Sequence, residues 1–229
     1  MNKAKKRYIV LSIIVFIILL LWLNNTSIFI PKTGTYKLLA HRGVAQTFDI
    51  SQVELDTNTA KIIYEPEHEN LENTIKSMET AFGYGADVVE LDVQRTKDGQ
   101  LAVFHDYDLS MRTDGKGIIN DYTMKELRKL DVGYGYTADD GKTYPFRRKG
   151  IGLMPELSEV LETFKDKELL IHMQNSDLKT GKILWTYLEN MSEERLSQIT
   201  VYGNHDGVMY LREQNSSIRV LSMKLLKNS

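Results

Sequence analysis

Gly85-Ala86-Asp87-Val88-Val89-Glu90-Leu91-Asp92-Val93 is the stretch that decides the fold. Period-two geometry puts Glu90 and Asp92 on one face of a strand whose other residues, Val88, Val89, Leu91 and Val93, are apolar. Such a strand reads as central, with both faces covered, whereas an edge strand would turn its acids to water. Two carboxylates facing a sheet or barrel interior are costly unless neutralised, and a divalent cation with oxygen ligands is the natural counter-charge.

Working outward, Lys37 to His41, Leu101 to His105, Glu168 to Met173, Gln198 to Tyr202 and Ile218 to Met223 also read as buried strands. Helix patterns lie between them. Thr123-Met124-Lys125-Glu126 is a capping box ahead of Leu127 and Leu130. Pro155 fits a first helical turn before Leu157, Val160, Leu161 and Phe164, and Ile183, Leu184, Tyr187 and Leu188 form another stripe. Strand, helix, strand order implies a parallel α/β sheet, either doubly wound or closed into a barrel. Two long loops, Val44 to Asn70 and Val132 to Gly152, interrupt it, and loops of that length are usually functional or mobile.

The 229 residues include no cysteine, which removes disulfides, thiolate metal sites and a cysteine nucleophile. The net charge of −2 is unevenly spread. Lys3, Lys5, Lys6 and Arg7 precede the first acid at Asp49, and without those four bases the body carries 25 basic against 31 acidic residues. Nucleic acid is therefore not an expected partner. Tyr8 to Leu23 follows, sixteen residues with Ser12 the one clearly polar side chain. The run reads as an uncleaved, single-pass transmembrane signal anchor, since Asn24 to Phe29 has no small-x-small cleavage site. The expected organisation is a cytoplasmic basic tip at 1–7, an anchor with its juxtamembrane segment at 8–30, and an extracytoplasmic domain at 31–229.

His41-Arg42-Gly43 and His105-Asp106 stand at the ends of expected strands. Two imidazoles allow acid and base roles to be divided, and the Arg42 fork suits a phosphoryl group or a carboxylate. Together with Glu72-Asn73-Thr74, Glu90-Leu91-Asp92, Asp98-Gly99, Arg112-Thr113-Asp114-Gly115-Lys116-Gly117 and Met154-Pro155-Glu156-Leu157, these motifs resemble the glycerophosphodiester phosphodiesterases from about Tyr36 to Met223. The resemblance implies a TIM-barrel phosphodiesterase that uses a divalent metal, Ca2+ or Mg2+, to hydrolyse a glycerol-linked phosphodiester. By position, His41 and His105 would be the acid–base pair, Arg42 would hold phosphate, Glu90 and Asp92 would bind the metal, and Glu72 would lie at the metal or substrate site.

Two departures from the family pattern follow. Where the family carries Glu-x-Lys on what reads as the fourth strand, this chain has His172-Met173-Gln174. His172 would ligate the metal and open the site to transition metals, while Gln174 would reach phosphate without charge. The 197 residues from Thr33 to Ser229 fall short of the roughly 250 of a closed eight-unit barrel, implying a barrel cut short after about six strands. A catalytically degenerate relative that binds a phosphorylated ligand is the second reading. A lysophospholipase D or sphingomyelinase D-like enzyme is the third.

Overall fold

The computed structural model describes residues 3–24, 36–54, 57–174 and 177–226. It forms two compact units, Met1–Tyr36 and Lys37–Ser229. The first holds helix α1, Lys3–Asn24. The expected transmembrane anchor is not upheld, because among the described residues no helix is long and apolar enough to cross a membrane. Although α1 has 22 residues, its first turn and beyond is taken by Lys3, Lys5, Lys6 and Arg7. The apolar remainder, Tyr8 to Leu23, spans about 24 Å at 1.5 Å per residue against a hydrocarbon core of about 30 Å. The single-pass topology and extracytoplasmic placement that rested on the anchor fall with it. The juxtamembrane residues 25–30 lie outside the described residues.

The second unit is a parallel sheet with helices packed on one face. Its elements are β1 (Leu39–His41), α2 (Ile75–Gly83), β2 (Val88–Arg95), β3 (Leu101–Val103), α3 (Met124–Leu127), α4 (Leu157–Thr163), β4 (Glu168–Met173), α5 (Leu178–Leu188), α6 (Glu193–Ser197), β5 (Ile199–Gly203), α7 (His205–Gln214), β6 (Arg219–Ser222) and α8 (Met223–Leu226). The parallel path runs β1-β2-β4-β5-β6. β3 stands off it, antiparallel to the far end of β2 with Val93 opposite Val103. Five strands are therefore parallel, not six. The strand bearing His172 is the third of them.

Parallel pairing in register puts partnered residues on one face. Val89, Leu91, Leu169, Ile171, Ile199 and Val201 face the helices and, with Met78, Val160, Leu184 and Leu211, make the main core. The opposite face carries His41 beside Glu90, and Asp92 beside His172 beside Tyr202. This face is the polar interior that the alternation of β2 foretells.

The long loops are packed, not loose. Ala60, Leu71, Phe104, Leu109, Leu127, Tyr136 and Phe146 form a second core. Tyr136 is buried in it, whereas Tyr134 remains partly exposed against the Arg147 guanidinium. The Thr123 capping box forms with Glu126, but α3 is only four residues long. Pro155 falls before the helix it was expected to start. Its carbonyl accepts from the Val103 N–H, and Glu156 is the N-cap of α4.

Candidate functional site

β1 ends at His41, and the chain then turns through Arg42 and Gly43, both with positive φ (58° and 76°). Arg42 adopts a conformation that L residues take rarely, as strained residues at functional sites do. Its fold is held from several directions. The Arg42 N–H donates to Glu90 Oε2 (3.1 Å), its carbonyl accepts from the Asn73 N–H (3.0 Å), and its Nη1 donates to Glu72 Oε1 (2.9 Å). Nε lies 3.1 Å from Asp92 Oδ2 as an ion pair without hydrogen-bond geometry. Gly43 is required on two counts. A Cβ there would sit 2.5 Å from Ser77 Oγ and 2.8 Å from the Ser77 backbone carbon.

Glu90 and Asp92 are almost wholly buried, at 2% and 1% exposure. Glu90 Oε1 accepts from the Tyr202 hydroxyl at 2.8 Å. Asp92 is more richly served: His172 Nδ1 is 2.8 Å from Oδ1, Gln174 Nε2 donates to Oδ1 (3.3 Å), and Asn73 Nδ2 donates to Oδ2 (2.9 Å). The two acids consequently titrate apart. Burial, and then the charge of Asp92, push Glu90 up to about 7. Burial also acts upward on Asp92, but the His172 hydrogen bond and the Arg42 charge outweigh it and hold Asp92 at about 2.

One donor atom each from Glu90, Asp92 and His172 lies within 4.8 Å of the others, the spacing of a metal centre. The donor set fits a divalent cation. Two buried carboxylates, one of them kept reluctant to ionise, are what a cation would relieve, and an imidazole completes a mixed oxygen and nitrogen set. His172 is also stacked on the Tyr202 ring, with centroids 4.2 Å apart and 5° between planes. Tyr202 therefore touches two of the three donors. Sequence reasoning missed it, because an aromatic residue in an apolar run gives no sign of its register partner.

Glu72, expected at the metal or substrate site, meets two guanidinium groups. Its carboxylate bridges Arg42 Nη1 and Arg112 Nη1 (3.1 Å), outside the three-donor cluster. Arg112 is buried, donates to Tyr136 Oη (2.8 Å) and Thr59 Oγ1 (2.6 Å), and pairs through Nε with Asp106. Asp106 Oδ1 is in turn 3.1 Å from His105 Nδ1. A carboxylate only accepts, so Nδ1 of His105 carries a proton and is oriented by it.

His105 follows β3, and its arrival at the site depends on that strand's reversed direction. Phe104 N donates to the Asp92 carbonyl, and Gln94 Nε2 donates to the carbonyls of Phe104 (3.0 Å), His105 (3.1 Å) and Asp106 (2.9 Å). The two histidines thus do not occupy equivalent strand ends. His41 ends a parallel strand and His105 is delivered from a hairpin. His41 is exposed, its Nε2 3.9 Å from Glu90 Oε2. What burial it has, together with the Arg42 charge, holds its pKa below the usual histidine value.

The sequence profile of the Glycerophosphoryl diester phosphodiesterase family matches residues 41–223, which is most of the chain. The chain belongs to this family. A glycerophosphodiester phosphodiesterase of Caldanaerobacter subterraneus subsp. tengcongensis is 35% identical over 148 residues, covering 65% of this chain and 55% of the relative. One from Bacillus subtilis is 40% identical over 122 residues, covering 52% and 39%. Among solved structures, the glycerophosphoryl diester phosphodiesterase domain of an uncharacterized Mycobacterium tuberculosis protein superposes with a TM-score of 0.62 at 20% identity, covering 85% of this chain and 63% of that one. An Oleispira antarctica phosphodiesterase in complex with the product sn-glycerol-3-phosphate superposes with a TM-score of 0.58 at 21% identity, covering 81% and 64%. These structures show the fold of the family, a barrel-like parallel α/β sheet. The chain spans about half the length or less of these curated relatives, and just under two thirds of these two solved chains.

Proposed function

We propose that this chain is a metal-assisted phosphoric diester hydrolase that cleaves glycerophosphodiesters into an alcohol and a glycerol phosphate. The observation that carries the reading is the cluster of Glu90, Asp92 and His172 on the face that also bears His41, with the His105 loop anchored on the same strand. Its support from relatives is family membership and the glycerol phosphate held by the Oleispira protein.

Glu90, Asp92 and His172 would hold the cation, Mg2+ or Ca2+ by the two carboxylates and a transition metal by virtue of the imidazole. When bound, the metal supplies charge neutralisation to the phosphoryl oxygens. Metal binding would release the proton that Glu90, raised to about 7, holds at lower pH. Arg42 presents its guanidinium beside the carboxylates, where a phosphoryl oxygen would take the place of one of its carboxylate contacts. Gln174 adds an amide without charge.

The acid and base roles divide by environment. His41, whose pKa is held below the usual histidine value, accepts a proton from the attacking water as its oxygen bonds to phosphorus and the bond to the leaving alkoxide breaks. His105, whose Nδ1–H points to the buried Asp106 carboxylate, is oriented by it so that the opposite ring nitrogen delivers the proton to the leaving alkoxide. Glu72 and Arg112 hold Arg42 and Asp106 in place.

The test is hydrolysis of glycerophosphodiesters by the purified chain with added divalent metals, followed as alcohol release. His41→Ala and His105→Ala should each lower turnover by about 10²–10⁴. Unchanged turnover in either variant would sink the acid–base assignment.

A further inference from the structure

Beyond the three donors, the carboxyl ends of β4, β5 and β6 border an open cleft of about 480 Å³, a volume suited to a small ligand. It begins at His172 and Gln174, both bonded to Asp92 Oδ1, so it runs directly out of the site. Its far side is made by Asn204, His205, Met223 and Lys224. Among the described residues its lining contains one full positive charge, Lys224, and no acid.

The far side is built, not incidental. His205 Nδ1 is 3.0 Å from the Oγ of buried Ser222, which fixes the imidazole plane. Its Nε2 and the Lys224 ammonium have no protein partner among the described residues. An ammonium and an imidazole edge together offer donors to oxygen-rich or anionic groups. A quaternary ammonium arm is recognised by an aromatic cage or a carboxylate. No acid lines this cleft, and its one ring besides His205, that of His172, is already covered by Tyr202.

We propose that this cleft is the subsite for one ester arm of the diester, and that it selects an anionic polyol arm over a choline-type arm. The proposal rests on the phosphodiester reading above and adds the class of alcohol that the site accepts.

The experiment pairs calorimetric binding with hydrolysis, using the full chain and three probes. These are glycerophosphocholine (cationic arm), glycerophosphoinositol (neutral polyol arm) and glycerophosphoinositol 4-phosphate (anionic polyol arm). The wild type should bind the third about tenfold more tightly than the first, and Lys224→Glu should abolish or reverse that order. Lys224 is exposed, and an unchanged melting temperature for the variant secures the comparison. His205→Gln should weaken both polyol probes and leave glycerophosphocholine unmoved.

Equal affinity for the three probes, or a preference that survives Lys224→Glu, overturns the subsite. If all three are hydrolysed with equal efficiency and bound equally, the subsite falls and the hydrolase reading stands. If none is hydrolysed but the charge-dependent order of binding holds, the subsite stands and the hydrolase reading falls.

Discussion

Replacing Tyr202 by Phe removes one oxygen atom and leaves the ring that lies on His172. The lost group is a hydroxyl that donates to Glu90 Oε1 at 2.8 Å. Burial and the neighbouring carboxylate push the phenol pKa far upward, so the hydroxyl serves only as a donor across the accessible pH range. A hydrogen bond to a charged group contributes about 1.5–3 kcal/mol, and 1.4 kcal/mol is a factor of ten. Tyr202→Phe should therefore weaken divalent metal binding by about 10–100-fold, the range typical of groups that orient a ligand from behind. The loss should be larger at pH 6 than at pH 8. Tyr202 is one of the groups that restrain the rise in the Glu90 pKa, so its removal leaves more of Glu90 protonated at the lower pH. Calorimetric titration of Mg2+ and Mn2+ into the full chain at both pH values measures this, with circular dichroism to confirm the fold. Tyr202→Leu, which also loses the stack on His172, should lose more affinity for Mn2+ than Tyr202→Phe does. Affinity within twofold of wild type for a folded Tyr202→Phe protein would refute the argument that Glu90 is oriented through β5.

The remaining predictions concern pH, the His105 loop and helix packing. Without metal, Glu90 has a folded pKa of about 7, above its ordinary value of 4.5, so the folded state binds the extra proton between those limits. Stability of the metal-free protein should fall as pH rises from about 4.5 to 7, by up to about 3 kcal/mol, and added metal should reverse the trend; urea unfolding at pH 5 and pH 8 checks the sign. Asp106→Asn should lower turnover by about 10²-fold in the wild type yet cost almost nothing more in a His105→Ala background, because Asp106 acts through that imidazole. Gly181→Ala should lower the melting temperature, with a loss of about 1–3 kcal/mol, since its Cβ would lie 2.6 Å from the Gly207 carbonyl oxygen where α5 meets α7.

The acids of β2 were legible because alternation is a local property: Glu90 and Asp92 share a face whatever lies across from them. The strand positions followed for the same reason, to within a residue or two, as at Glu168–Met173. Strand direction is not local. The run from Leu101 reads alike in either orientation, and the signal that could have settled it was Asp98-Gly99, a dipeptide suited to a hairpin. The structure turns there, with Gly99 at φ 78° and Thr96 N donating to the Gln100 carbonyl at 2.9 Å. The partners of Glu72 were not legible for a related reason. A carboxylate in a motif is free to meet a cation of any kind, and only the tertiary approach of Arg42 and Arg112 shows that guanidinium groups occupy it. The sixteen apolar residues after Arg7 carried a composition signal of an anchor, but composition does not supply the missing length.

Three successive inward side chains of β2 have different partners: Glu90 and Asp92 belong to the cluster proposed to hold a cation, and Gln94 donates to the three carbonyls that carry His105. The spacing between that cluster and His105 is therefore written into a single strand, as marks on a ruler. Changing the loops at either end leaves that spacing alone. Inserting one residue between Asp92 and Gln94 would turn Gln94 toward the helices and release the hairpin, leaving a chain that keeps Glu90 and Asp92 on one face but no longer holds His105 at a fixed distance from them.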